Sequence, residues 1–277
     1  MMAYVNGNLV PEQDAGVAVF DHGLTVGDGV FETIAVRGGV AMAPTRHLAR
    51  LERSARGLGL PPPDVNAIRT GVLETIAANR PMGRAAIRVT YTSGVGAVGS
   101  GRGGDGTTVV IGIREVEPGP DAVRVATVPW PRNERGALVG LKTTSYAENV
   151  RALADARGRG ADEAIFANTA GDLCEGSGTN VFLAVSGHLM TPPLSAGCLA
   201  GITRALLIER CGLDIEEQAV PLSGLAEADE AFLTSATRDV QAIEAVDGHL
   251  LASAPGPLTK IAAASYAGLL ASDADPN

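Results

Sequence analysis

Lysine is scarce in this 277-residue chain. Only Lys142 and Lys260 occur, so arginine supplies the other 20 of the 22 basic residues. Acidic residues number 31, and the formal net charge is −9 at pH 7. Nucleic-acid binding is therefore disfavoured, because a phosphate backbone attracts clustered basic residues.

Cysteines and long apolar runs are also few. The three cysteines, Cys174, Cys198 and Cys211, are odd in number and lack metal-ligand spacing, which predicts free thiols, no metal site and a cytoplasmic location. No apolar run reaches the roughly 18 residues that a membrane span requires, and the first residues do not resemble a signal peptide. With 45% hydrophobic and 19% charged residues, the chain is predicted to be globular and to have no membrane contact.

Strand and helix patterns alternate, which predicts mixed α and β structure. Helical spacing of apolar residues predicts a helix in PTRHLARLERSARGLGL, with Thr45 as its N-cap. The terminal ASDADPN is predicted to be frayed. Further helices are predicted at 65–79, near 146–158 and near 203–211, and strands at 30–36, 85–92, 107–113, 121–128, 163–167, 180–185, 230–235 and 240–246.

A proline-rich polar stretch, REVEPGPDAV, separates two predicted strands and is the predicted linker. We therefore expect an N-terminal domain at 1–117, a linker at 118–122 and a larger C-terminal domain at 123–277. The glycine-rich tract 92–106 is either a mobile surface hairpin or a loop that covers a site.

Two residues are candidates for chemistry on a flat ring. Lys142 follows the apolar stretch GALVGL, and a partly buried lysine loses proton affinity and becomes an amine nucleophile able to form a Schiff base. Glu175 is flanked by small residues, so its carboxylate can approach a ring closely. The alternatives are that Lys142 is a solvated surface lysine and that Glu175 is an exposed glutamate in a turn.

Three segments are candidates for anion binding. Residues 201–203 begin a predicted helix, whose free N–H groups attract phosphate. Residues 234–237, TSAT, supply hydroxyls and amides after a strand, and Arg50 lies beside the apolar face of its helix. Capping residues and surface arginines would explain each segment without a ligand.

Six segments occur in a defined order along the chain: DHGLTVGDGVFET (21–33), RHLARLERSA (46–55), LKTTSYAENV (141–150), GADEAIFANTAGDLCEGSGTNVFLAV (160–185), GITRALLIE (201–209) and TSATRDVQAIEAVDG (234–248). Their order resembles that of the class IV, fold-type IV, pyridoxal-phosphate enzymes. The resemblance covers nearly the whole chain. It implies an α+β, two-domain fold, with a small α/β N-terminal domain and a larger C-terminal domain that has a barrel-like β core, and a homodimer.

The resemblance also implies a cofactor, pyridoxal 5'-phosphate (PLP), and a role for individual residues. Lys142 would hold the cofactor as an internal aldimine and move the substrate's α-proton, and Glu175 would pair with the pyridine nitrogen. The full cofactor set is Arg50, Lys142, Glu175, Gly201, Ile202, Thr203, Ser235, Ala236 and Thr237, and the substrate set is Phe31, Arg88, Tyr146 and Ala236.

The substrate is less clearly implied. Arg88 matches the arginine of a Tyr-Ile-Arg-Pro motif of branched-chain enzymes, but Ala86 replaces the tyrosine, and Arg102 alone remains of an Arg-Asn-His run of D-amino-acid enzymes. We expect a transaminase that exchanges an amino group between an amino acid and a 2-keto acid, with D-alanine or D-glutamate ahead of (R)-amines and branched-chain L-amino acids. A 4-amino-4-deoxychorismate lyase that releases pyruvate and 4-aminobenzoate, and a cofactor-binding protein without turnover, remain open.

Overall fold

The computed structural model describes residues 1–80, 83–104 and 106–276. The chain divides into two units: the first comprises Met1–Glu117, Leu141–Tyr146 and Ala274–Asn277, and the second Pro118–Gly140 and Ala147–Asp273. Asn277 itself lies outside the described residues. The predicted C-terminal domain at 123–277 is one continuous segment. In the structure, Leu141–Tyr146 and the tail that begins at Ala274 cluster with the first unit instead.

The first unit is built on an antiparallel sheet. Within the described residues six strands pair in the order β2-β1-β6-β5-β3-β4, and the apolar residues of two helices share one buried cluster with those of the central strands. The strands are β1 (Met2–Val5), β2 (Asn8–Pro11), β3 (Gly29–Arg37), β4 (Val40–Ala41), β5 (Arg84–Thr92) and β6 (Thr108–Glu115), and the helices are α1 (His22–Thr25), α2 (Pro44–Gly57) and α3 (Val65–Ala78).

The second unit contains a mixed sheet. In the described part of the chain its order is β12-β11-β10-β13-β14-β7-β8-β9, with β15 paired to β14. The pairs β14/β7, β7/β8 and β11/β12 are parallel and the other pairs are antiparallel. The elements are β7 (Ala122–Thr127), α4 (Ala147–Gly158), β8 (Glu163–Ala167), β9 (Leu173–Gly176), β10 (Asn180–Val185), β11 (His188–Thr191), α5 (Ile202–Arg210), β12 (Ile215–Glu217), β13 (Glu230–Ser235), β14 (Asp239–Val246), β15 (His249–Leu250) and α6 (Pro257–Ser272).

The mixed α and β prediction is confirmed, and each predicted strand and helix has a counterpart within a few residues. Helix α6 was not predicted. Its buried residues, Thr259, Ala262 and Tyr266, are mostly small or polar, so the helix lacks the apolar stripe that marks an amphipathic helix in a sequence. Within the described residues no helix has both the length and the apolar character of a membrane span.

Helix α2 is capped by the C-terminal tail. Its N-cap residue is Ala43, in the left-handed conformation at φ 49°, so the prediction of Thr45 as N-cap is wrong. Instead the Asp275 carboxylate accepts hydrogen bonds from the Thr45 backbone N–H at 2.9 Å and from its hydroxyl at 2.5 Å, and Ala43 N donates to the Ala274 carbonyl at 2.6 Å. The prediction of a frayed tail is therefore also wrong for residues 271–276, of which Ala271 and Ser272 complete α6.

Removing this cap tests its contribution. We expect Asp275→Ala to lower the free energy of unfolding by about 1 kcal/mol, the usual cost of losing a side-chain cap. Urea denaturation of the variant and of the wild type measures the difference. Asp14→Ala, which removes an exposed acid of the same unit, is the charge-matched control, and equal changes in both variants would show that the tail does not stabilise α2.

Candidate active site

The backbone of Lys142 is fixed by β3 and α2. The Lys142 carbonyl accepts a hydrogen bond from Phe31 N at 2.9 Å, and its own N–H donates to the Ser54 hydroxyl at 3.2 Å. Leu141 packs against Gly57 of α2, where an added Cβ would be 2.5 Å from a Leu141 methyl carbon. The lysine therefore has a defined position at one end of β3.

The Lys142 side chain lies in an aromatic cluster. Its Nζ is 4.4 Å from the Phe31 ring centroid and 5.7 Å from that of Tyr146, and the two rings meet edge to face at 5.2 Å. Lys142 as a residue is half-buried, unlike a solvated surface lysine. Such contacts partly replace water around an ammonium group, as expected for a lysine with a chemical role.

Arg88 completes this cluster. Its guanidinium carbon lies 3.5 Å from the centroid of Phe31, so Arg88 and Lys142 contact the same ring. Arg88 retains solvent exposure, and partial desolvation lowers the pKa of its guanidinium. The group stays charged at neutral pH because arginine is by far the most basic side chain. The first unit thus brings together four predicted residues: Phe31, Arg88, Lys142 and Tyr146.

Arg50 is buried in an ion-pair network. It points inward from α2, where its Nε and Nη2 each donate to the Glu32 carboxylate at 2.7 Å, and His47 Nδ1 lies 2.6 Å from the same carboxylate. All three side chains are at most 6% exposed. Burial opposes ionisation of Glu32, but Arg50 and His47 outweigh it and lower the pKa of the carboxyl to about 2. Burial lowers the pKa of His47, so the neutral ring donates from Nδ1.

The sequence analysis identified neither Glu32 nor His47 as a site residue. The available signal was the spacing of His47 and Arg50, which are three residues apart and therefore share one face of α2. The buried acid that pairs with them, Glu32, lies on β3. This pairing could not be identified without the tertiary fold. A role for Arg50 toward a cofactor phosphate stays a prediction.

The glycine-rich tract is anchored by Arg102. Its Nε and Nη2 each donate to the Asp28 carboxylate at 2.7 Å, and it also donates to the carbonyls of Leu58 and Gly59 at 2.8 and 2.6 Å. The Arg102 contact lowers the pKa of Asp28. The structure describes tract 92–106 apart from Asp105. In this part Arg102 binds Asp28, Leu58 and Gly59, so the tract is anchored to the first unit and is not a free hairpin.

In the second unit, Glu175 faces the segment that precedes α5. Its Oε2 accepts a hydrogen bond from Leu199 N at 2.9 Å, and its Oε1 lies 3.3 Å from Arg132 Nε. The Leu199 carbonyl accepts from Asn180 Nδ2 at 2.9 Å. Arg132 also packs over Phe166, at 4.2 Å from the ring centroid. Glu175 is consequently held in one orientation near the start of α5.

The start of α5 has the features of an anion site. Gly201 is its N-cap and supplies no capping side chain, and a Cβ there would collide with Asn180 Oδ1. The first N–H groups of a helix have no intrahelical acceptor, and the helix dipole favours negative charge beside them. In the described chain, the hydroxyls of Thr179 and Thr234 are buried without a hydrogen-bond partner, and Thr234 lies directly across the sheet from Asn180.

The predicted loop at 235–237 lies at the same end of the sheet. Ser235 ends β13 and pairs with Asp239 of β14, so Ala236 and Thr237 occupy the tight turn between these strands. Since Thr234 is the register partner of Asn180, this turn lies close to the start of α5. The second unit thus brings together Glu175, Gly201, Ile202, Thr203, Ser235, Ala236 and Thr237.

These groups fit the PLP that the sequence implies. In the second unit, the α5 N-terminus and the unpartnered buried hydroxyls suit a phosphate dianion, and Glu175 suits a protonated pyridine nitrogen. In the first unit, the half-buried residue Lys142 supplies an amine nucleophile. The residue roles themselves remain predictions.

Comparisons with known proteins agree on the family. A model of the class IV amino-transferases matches residues 29–246. A putative branched-chain-amino-acid aminotransferase of Methanocaldococcus jannaschii is 35% identical over 259 residues, covering 91% of this chain and 90% of that protein. A D-alanine aminotransferase of Bacillus licheniformis is 31% identical over 272 residues, covering 94% of each.

A solved structure shows the same fold. The branched-chain aminotransferase of Thermoproteus uzoniensis, crystallised with norvaline, has a TM-score of 0.91 and 33% identity, covering 98% of this chain and 94% of that one. The fold-type IV prediction is confirmed. With the matching family model and relatives along nearly the whole chain, this protein belongs to the class IV aminotransferases and is a PLP-dependent transaminase.

Proposed function

We propose that Lys142 is the catalytic amine and that the preferred amino donors are D-amino acids such as D-alanine and D-glutamate, with a 2-keto acid as acceptor. The observation that supports the site most strongly is the shared contact of Lys142 and Arg88 with one ring, Phe31, at 4.4 and 3.5 Å. An amine nucleophile and a cation that can bind a carboxylate are thereby held against the same ring.

PLP, when bound, supplies the electron sink for the substrate's α-carbon. Lys142 Nζ holds the cofactor covalently and then carries the proton removed from the α-carbon. Glu175 keeps the pyridine nitrogen protonated. Arg88 binds the substrate carboxylate through two parallel N–H donors, and Tyr146 packs against the Phe31 ring that carries both cations. The groups that bind the phosphate are Arg50, the α5 N-terminus at Gly201, Ile202 and Thr203, and the turn at Ser235, Ala236 and Thr237.

The preference for D-amino acids is supported by what surrounds Arg88. Ala86, two residues before Arg88 on the same side of β5, replaces the tyrosine of the branched-chain motif, so that carboxylate trap is incomplete. The 31% identity with a D-alanine aminotransferase agrees with this proposal. Branched-chain L-amino acids are the second candidate, favoured by the similarity to two branched-chain enzymes.

The half-reaction separates these candidates. The PLP-loaded protein is mixed with matched pairs of D- and L-alanine, D- and L-glutamate and D- and L-leucine, without a keto acid, and bleaching of the cofactor absorbance is followed. We expect D-alanine and D-glutamate to react fastest. Faster reaction of L-leucine would replace the D-amino-acid proposal with the branched-chain one. Pyruvate release from aminodeoxychorismate without a keto acid would indicate the lyase.

The role of Arg88 gives a further prediction. We expect Arg88→Ala to raise KM for amino acids about 10- to 100-fold, since hydrogen bonds to a charged group contribute roughly 1.5–3 kcal/mol. An (R)-amine without a carboxylate serves as the matched substrate and should react at a nearly unchanged rate. Equal losses with both substrates would show that Arg88 does not bind the carboxylate.

We also propose that the protein is a homodimer, on the basis of an apolar surface of the first unit. Phe20 and Leu24 are 52% and 66% exposed, and Val98 of the glycine-rich tract is 82% exposed. The two segments adjoin, because Gly96 N donates to the Phe20 carbonyl at 3.1 Å. Apolar residues clustered in this way mark protein interfaces.

Light scattering during gel filtration tests the dimer. We expect twice the mass of one chain for the wild type and a monomer for the double variant Phe20→Asp/Leu24→Asp, because charges do not bury in an apolar interface. A monomeric wild type at micromolar concentration would contradict the proposal, and an unchanged mass for the variant would place the interface elsewhere.

A further inference from the structure

We propose that Glu163 is a positioning residue that joins the two cofactor-binding segments of the second unit: the turn after Glu175, and the loop at 235–238. The proposal rests on the proposed function of these segments. Glu163 belongs to β8, is 1% exposed, and has no part in the chemistry described above.

One carboxylate oxygen of Glu163 holds the turn after Glu175. Its Oε1 accepts hydrogen bonds from Ser177 N at 3.0 Å, from Ala164 N at 3.1 Å and from the Ser177 hydroxyl. The turn packs directly on this side chain, because a Cβ at Gly176 would be 3.3 Å from Glu163 Cγ and would also collide with the Thr179 hydroxyl. The position of Ser177, and with it that of Glu175 two residues earlier, therefore depends on Glu163.

The other carboxylate oxygen of Glu163 binds the loop at 235–238. Glu163 Oε2 lies 3.0 Å from Arg238 Nη2. Arg238 directly follows Thr237, and its backbone N–H donates to the Ser235 hydroxyl at 3.2 Å. The guanidinium is about a quarter exposed while its partner is buried, so this ion pair connects the surface turn to the interior.

A buried carboxylate is costly unless donors surround it. Glu163 meets this requirement with donors from the two segments. It therefore fixes the distance between these segments in addition to stabilising β8. That spacing matters for a rigid ligand with a ring nitrogen at one end and a phosphate at the other. A glutamine at 163 keeps an oxygen for Ser177 but presents an amide to Arg238, which is also a donor.

The test compares PLP binding by the apoprotein of the wild type, Glu163→Gln and Glu230→Gln. Glu230 is the matched control: it is 5% exposed, it accepts from Leu258 N and from the N–H and hydroxyl of Thr259, and these hydrogen bonds, found among the described residues, involve neither segment. We expect Glu163→Gln to weaken PLP binding at least about tenfold, the effect of losing one charge-assisted hydrogen bond. Glu230→Gln should lower Tm and leave PLP affinity unchanged.

Two further ligands locate the effect. Inorganic phosphate, followed by its thermal stabilisation of the apoprotein, reports on the loop at 235–238, and pyridoxal, which lacks the phosphate, reports on the Glu175 end. We expect Glu163→Gln to reduce phosphate stabilisation more than pyridoxal binding, because glutamine retains the contact with Ser177. Equal reductions for the two ligands would overturn the assignment of the lost contact to Arg238.

A double-mutant cycle completes the test. If Glu163 acts through Arg238, then Arg238→Gln alone weakens PLP binding to the same extent, and the double variant is no weaker. Arg238 is partly exposed, so this variant decides the question even where Glu163→Gln does not fold. Unchanged PLP affinity in Arg238→Gln, additive losses, or an equal loss in Glu230→Gln would overturn the proposal. Failure of the wild type to bind PLP would instead refute the proposed function.

Discussion

Lys142→Ala is expected to lower the rate of transamination by roughly 10⁴-fold or more, because it removes both the covalent attachment of the cofactor and the base that moves the α-proton. Single-turnover bleaching of the cofactor band by D-alanine measures the loss. Lys142→Arg keeps a positive charge beside Phe31 and Tyr146, but arginine stays protonated and cannot act as a nucleophile. It should therefore be as inactive as the alanine variant.

The chain offers a matched control for this prediction. Lys260 is the only other lysine, and it is exposed on α6. Lys260→Ala should retain full activity, and added methylamine should restore part of the activity of Lys142→Ala by supplying an amine as base. Substantial turnover by Lys142→Ala without an added amine would mean that another group moves the proton.

Glu32→Gln is expected to lower the free energy of unfolding by about 3–5 kcal/mol, the range measured when one partner of a buried ion pair is removed. The guanidinium of Arg50 would remain buried with no compensating charge from β3. Urea denaturation of the apoprotein measures this change. Glu52→Gln removes the acid of an exposed pair with Arg56 on the same helix and should cost less than about 0.5 kcal/mol. Similar losses in the two variants would contradict a special role for the buried network.

The same network predicts a loss of stability in acid. The pKa of Glu32 falls from 4.5 to about 2 on folding, so the unfolded chain binds the proton more readily, and this contribution to stability is complete above pH 4.5 and disappears as the pH falls toward 2. The lowered pKa of His47 acts in the same direction below pH 6.5. Unfolding midpoints measured across this range should fall more steeply with acidification for the wild type than for Glu32→Gln. Parallel curves would contradict the assignment.

Local patterns predicted the elements and the inward face of α2. Leu48 and Leu51 share that face in the sequence and Arg50 lies beside it, and all three are buried in the structure. Contacts between distant residues could not be predicted in this way. Asp275 caps α2 from 230 residues along the chain, and no local signal marks a capping residue at such a distance.

The candidate site shows the same limit. The order of the motifs predicted Lys142, Glu175 and the anion-binding segments as site residues, since each motif has a recognisable local sequence. The buried acids Glu32 and Glu163 lie in strands and look like ordinary strand residues, because the local sequence around a carboxylate does not reveal its partner. Their contacts follow only from the packing of β3 with α2 and of β8 with the turn at Ser177.

The most direct test of the account is to identify the lysine that carries the cofactor. Borohydride reduction of the PLP-loaded protein fixes the cofactor on its amine, and trypsin does not cleave after a modified lysine. We predict that the modified peptide spans residues 136–151, GALVGLKTTSYAENVR, with the label on Lys142. A label on the peptide that contains Lys260, or no label on either lysine, would contradict the assignment of Lys142 as the catalytic amine.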